Sequence, residues 1–189
     1  MKFLKGPHPA PNAIAQMAKQ FGGETELLRA AISASFFLSP EKVKAECRYP
    51  NHARSSRALY PGKGFGETVE VDGVSLILDS NHKAQATWRE ASGFFFRASG
   101  YGVRHIWGYA SDAKAYTATW NLCYMPFWAG MMTEDQHPFE LLAKVVRQVS
   151  FDLYFREGPI TNLQRPAFIQ DPGLKLSDAL PADTVINLI

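Results

Sequence analysis

His105 and Asn121 are the residues whose types and spacing could carry chemistry in this 189-residue chain. His105 lies in Val103-Arg104-His105-Ile106-Trp107-Gly108, a run that reads as a strand ended by a glycine. Asn121 opens the run Asn121-Leu122-Cys123-Tyr124-Met125, sixteen positions later. Hydrolysis of a phosphodiester needs a base to take a proton from water and a cation to offset charge on the scissile phosphate. A histidine at a strand end, with one ring nitrogen held by a backbone carbonyl, offers the other to water with a pKa expected near neutrality. An asparagine across the loop can hold that carbonyl in place. Arg104 beside the histidine adds a bidentate donor for a phosphate.

These side chains need a scaffold, and the flanking sequence predicts one. Residues 109–120 are loop-like, and Met125 is pushed to extended geometry by Pro126, which can itself begin a helix through Met132. Pro138 starts a longer helix to about Arg156, with Phe139, Leu142, Val145, Val146, Val149 and Leu153 on one face and Gly158-Pro159 as its stop. Upstream, Thr68–Val71 and Val74–Leu78 flank Asp72-Gly73, the strongest short hairpin signal. Asp79-Ser80-Asn81 then caps a helix through Trp88 to Gly93, and the Phe94–Phe96 cluster demands burial.

Strand, loop, strand and helix around His105 and Asn121 resemble the HNH (His-Me finger) endonuclease family. The resemblance covers about thirty residues, Val103–Gly108 and Asn121–Thr133. It implies His105 as general base, Asn121 as the structural asparagine of the loop, and Mg or Mn as cofactor if the chain is catalytic. It further implies a DNA partner and an endonuclease of the kind found in restriction or phage defence. Two positions depart from the family pattern. Arg104 stands where Asp, His or another metal ligand usually precedes the base, and the third motif position falls on Ala129 or Gly130, neither of which can ligate. His137, with Glu134 and Asp135 nearby, is the nearest substitute metal ligand.

The remaining sequence narrows the classes. Lys and Arg number 20 against 18 Asp and Glu, a net +2, but residues 1–66 carry +6 and residues 67–189 carry −4. A basic first third points to a polyanionic partner, and Arg54, Arg57, Lys63 and Arg89 are the expected contacts to a nucleic-acid backbone. Of the 24 aromatic residues, eleven fall between Phe94 and Trp128, a density that marks core or a binding face. Cys47 and Cys123 stand alone, which leaves no thiolate zinc site and no disulfide framework. Gly62-Lys63-Gly64-Phe65-Gly66 does not match a phosphate-binding P-loop, no serine sits in a GxSxG elbow, and no HExxH occurs. No apolar run reaches membrane-spanning length and the first residues lack the apolar stretch of a signal peptide, so a cytoplasmic location is expected.

The expected architecture is a single α+β domain. A basic helical part spans 1–66, an α+β part with the ββα-like finger spans 67–158, and an extended tail spans 159–189. The first part holds three helices, after Asn12, after Thr25 and from Ser39-Pro40, followed by a loop over 49–66. Two further readings stand beside the endonuclease: a non-catalytic domain binding nucleic acid or protein on the same scaffold, and a small-molecule enzyme using the aromatic window.

Overall fold

The computed structural model describes residues 12–93, 100–134, 139–156 and 165–189. Asn12 Oδ1 accepts the Ala15 amide at 3.0 Å and begins α1 (Ala13–Phe21), which Gly22 ends in the left-handed conformation. In α2 (Glu24–Ser33), Leu27, Leu28, Ala31 and Ile32 recur at helical spacing, and all four are buried. Next come β1 (Phe36–Phe37) and the short α3 (Pro40–Lys44), with Ser39 at its N-cap position. The stretch expected as loop over 49–66 contains β2 (His52–Arg54), which pairs in parallel with a strand further on.

β3 (Thr68–Val71) and β4 (Val74–Asp79) form the expected hairpin. Both turn residues, Asp72 (φ 50°) and Gly73 (φ 75°), are left-handed, as a two-residue hairpin requires. α4 (His82–Ser92) follows, capped by Asp79, whose Oδ2 accepts the Lys83 amide at 2.6 Å. The segment expected as a finger is β5 (Tyr101–His105), a 3₁₀ turn (Thr119–Asn121), β6 (Leu122–Pro126) and α5 (Phe127–Met132). The strand expected over Val103–Gly108 thus begins earlier and ends at the histidine itself. The long helix α6 (Glu140–Tyr154) comes next. The stretch expected as an extended tail holds α7 (Leu176–Ala179) and β7 (Asn187–Leu188), and it buries Ile169 and Leu180. The Phe94–Phe96 cluster, His137, Pro138 and Gly158-Pro159 lie outside the described residues.

The fold is α+β, with two small sheets. One has the order β5-β6-β1-β7, antiparallel from β5 to β1 and parallel between β1 and β7. The other has the order β2-β4-β3. α4 packs on β5 and β6, and α6 packs on α2, α3 and the 3₁₀ turn. Trp88, Trp120, Tyr116 and Tyr154 are among the largest fully buried side chains, and each large apolar side chain removed from water contributes about 2–3 kcal/mol before entropy is counted. Of the eight described aromatic residues in the window between Phe94 and Trp128, Trp107, Tyr116, Trp120 and Tyr124 are buried, Tyr101 and Trp128 are half-buried, and Tyr109 and Phe127 are exposed. No described helix is long and apolar enough to cross a membrane.

The loop between β5 and β6 joins the two sheets. The Arg54 amide, at the end of β2, donates to the Ala110 carbonyl at 2.8 Å, and the Tyr60 hydroxyl donates to the Ser111 carbonyl at 3.1 Å. Arg54 is in this way carried to the finger from fifty residues upstream.

Candidate active site at the end of strand β5

Alternation along β5 decides where its side chains go. Gly102 and Arg104 face α5: a Cβ on Gly102 would lie 2.6 Å from the Phe127 ring, and one on Gly130 would strike the Arg104 guanidinium. Tyr101, Val103 and His105 take the opposite face. There Tyr101 stacks on Tyr124 at 5.2 Å and Tyr124 stacks on Trp88 of α4 at 6.1 Å. His105 is the last residue of the strand, paired with Leu122, so its ring reaches past the sheet into the β5–β6 loop.

Asn121 closes that loop from inside. Its amide is buried and fully satisfied: Nδ2 donates to the Gly108 and Ala115 carbonyls, both at 2.9 Å, and Oδ1 accepts the Trp107 amide at 2.8 Å. Its backbone carbonyl also accepts the Ile106 amide at 2.8 Å. The loop turns through two successive left-handed residues, Gly108 (φ 73°) and Tyr109 (φ 53°). The tyrosine there carries a cost of about 1 kcal/mol that the surrounding hydrogen bonds hold in place. Asp112 winds the next turn, its carbonyl accepting the Ala115 and Tyr116 amides.

The wound loop presents the Tyr116 carbonyl to His105 Nε2 at 2.8 Å, and the Tyr116 ring stacks on the imidazole at 5.7 Å. A carbonyl can only accept, which assigns the imidazole proton to Nε2 and leaves Nδ1 as the lone-pair nitrogen. Among the described residues Nδ1 is neither enclosed nor hydrogen-bonded. Burial, with Arg54 adding to it, lowers the imidazole pKa to about 4 against the opposing Tyr116 hydrogen bond. The expectation of a pKa near neutrality is thereby corrected, because the ring is set deeper than a strand end in water would hold it. His105 is a neutral imidazole throughout the physiological range.

The half-buried imidazole lines a cleft of about 700 Å³ together with Arg54, Asn81, Arg104, Glu134 and Arg147. Arg104 Nη1 is 2.5 Å from Glu134 Oε1, while its Nε is enclosed with no hydrogen-bond partner. A wider groove of about 1080 Å³ continues past Tyr109, Arg147 and Lys144. No protein-family model, curated protein or solved structure matches the chain.

Among the described residues, the divalent ion that the family resemblance implies meets few donors. Hard cations want several oxygen ligands. The described cleft residues supply one carboxylate, Glu134, already bound to Arg104, and three cations. Among the described residues no three His, Cys, Asp or Glu side chains gather as a metal site. His137 and Asp135 lie outside the described residues.

Of the residues singled out in the sequence, His105, Arg104 and Arg54 come together at the cleft, and Asn121 lies beneath it. Arg57, Lys63 and Arg89 are exposed but do not line it, and Lys63 is paired with Glu67 at 3.2 Å. Arg147, Tyr116 and Asp79 belong to the site without having been singled out for it. Arg147 donates from Nε to the Ile106 carbonyl at 3.3 Å and lines both depressions. Its place on the polar side of α6, one turn after Lys144, is the one sequence signal that could have pointed to it.

Proposed function

We propose that the chain is a nuclease of the His-Me finger kind, hydrolysing phosphodiester bonds of DNA at the cleft of His105. One observation carries the reading: an imidazole whose Nε2 is held by a loop carbonyl, and whose Nδ1 is neither enclosed nor hydrogen-bonded, lines a cleft together with three arginines. Acyl transfer or hydride transfer would have little use for three guanidinium groups, whereas a phosphodiester offers two anionic oxygens for their forked donors.

In this reading His105 Nδ1 takes a proton from water and the water oxygen forms the new bond to phosphorus. The opposite phosphorus–oxygen bond breaks, its electron pair stays on the leaving sugar oxygen, and that oxygen takes a proton from solvent. The arginines hold the phosphate in line and offset the charge that builds on its oxygens. An incoming phosphate also counters the field of Arg54, the smallest of the influences on the imidazole. Backbone contacts of this kind give affinity without sequence choice. The setting the resemblance implies, restriction or phage defence in the cytoplasm, belongs to the same proposal.

Nicking of supercoiled plasmid by the intact protein and by His105→Ala, each with Mg²⁺, with Mn²⁺ and with EDTA, tests the reading. Cleavage by the intact protein under at least one condition, lost in His105→Ala, is the expected result. Salt-sensitive DNA binding with no cleavage under any condition replaces this reading with that of a non-catalytic binding domain, which the missing donors at Ala129 and Gly130 favour.

A further inference from the structure

The two departures from the family pattern, an arginine before the base and a glycine on the helix, are physically one feature. Gly130 faces Arg104 across the β5–α5 contact, and a Cβ there would collide with Nε and stand 3.1 Å from Cζ. The guanidinium takes this seat against α5 where position 130 has no side chain. A side chain at 130 and the present seat of the Arg104 guanidinium therefore compete for the same space.

From this seating we infer that Arg104 is the resident cation of the site, standing where the finger would hold a divalent ion, so that DNA cleavage by His105 proceeds without added metal. The inference rests on the nuclease reading above. Three further observations support it. Glu134 holds Nη1, the side chain keeps 27% of its surface exposed, and Arg104 lines the cleft. Nε is enclosed and without a partner, so the guanidinium is positioned by packing as well as by its ion pair. Arg54 and Arg147 line the same cleft, and their charge opposes a divalent ion while favouring a phosphate. With Nη1 on Glu134 and Nε enclosed, Nη2 is the donor left to meet a phosphoryl oxygen and stabilise the charge developing on it. No reactant beyond water enters the step already described.

The test is plasmid nicking in excess EDTA, with unfolding curves for every variant. The intact protein is expected to cleave at the same rate in EDTA and in Mg²⁺, within about 2-fold. Arg104→Gln is expected to lose at least about 100-fold, and Arg104→Lys, which keeps charge but not the fork, to lose less. Gly130→Ala keeps the arginine and removes its seat, and is expected to lose about 10-fold through misplacement. Titration with Mn²⁺ followed by electron paramagnetic resonance reads the same point without activity, and no ion bound at micromolar concentration is expected. Cleavage abolished by EDTA and restored by Mg²⁺, or Arg104→Gln retaining full activity while folded, overturns the inference and leaves the nuclease reading standing. No cleavage under any condition overturns both.

Discussion

The Tyr116 hydroxyl donates to Asp79 Oδ2 at 2.5 Å, and this bond ties the loop that holds the imidazole to the far end of the hairpin sheet. Tyr116 thus has two roles in one residue: its backbone carbonyl fixes the tautomer of His105 and its phenol fixes the loop. Burial raises the Asp79 carboxyl pKa, but the phenol and the Lys83 and Ser80 amides outweigh it, and the net shift is downward.

Replacing Tyr116 by Phe removes that bond and also leaves the Asn81 amide, which donates to the phenol at 3.1 Å, without its acceptor. The expected loss is about 1–2 kcal/mol of stability, measured by urea unfolding. The carbonyl to His105 is untouched, so a nuclease of this design should lose little in cleavage rate by comparison with His105→Ala.

Asn121→Ala should cost more, about 3–5 kcal/mol in thermal or urea unfolding, because three hydrogen bonds disappear inside the protein and their backbone partners stay buried. Asn121→Asp keeps an acceptor for the Trp107 amide but loses both donors, and should fall between Ala and the intact protein only at acid pH, where the carboxyl is protonated.

Stability should depend on pH through His105. The group titrates near 6.5 in the unfolded chain and near 4 in the folded one. Between those values the unfolded chain binds the extra proton, so stability is full above pH 6.5 and falls as the pH drops toward 4. The expected loss is on the order of 2–3 kcal/mol. Urea unfolding at pH 7, 5.5 and 4.5 checks it, and His105→Gln should flatten the dependence over that window. His52, also lowered by burial, adds to the loss in the same window, and carboxylates with lowered pKa such as Glu41, Glu67 and Asp79 add to it at the acid end, so the His105 share is the difference between the intact protein and His105→Gln.

The nucleic-acid contacts should separate by place. Arg54→Ala should weaken binding of a labelled duplex and lower the salt slope by about 1, read by fluorescence anisotropy at several salt concentrations. Lys63→Ala, off the cleft and paired with Glu67, should leave both unchanged within error.

Much of this arrangement was legible in the sequence wherever the signal is local. The Asp72-Gly73 turn, the caps at Asn12 and Gly22, and the strand–loop–strand–helix order around His105 and Asn121 are written in adjacent residues. β1, β2 and β7 were not, because strands of two or three residues have no periodicity and exist only by pairing with distant partners: Phe36 with Tyr124 and Asn187, and His52 with Ile77. The same holds for the site. Asn121 could be found by spacing, but Arg147 and Asp79 enter through tertiary packing. The low pKa of His105 comes from burial and from Arg54, which no neighbouring residue announces.

The lock between Arg104 and the bare backbone at Gly130 has an evolutionary reading. Any side chain at 130 displaces the arginine from its present seat, and a short residue at 104 leaves a hollow over the bare helix. The two positions are in contact and should therefore show epistasis, so that the effect of a double substitution differs from the sum of the two single ones. What is tolerated at either position is set by the residue at the other, and the pair should change together.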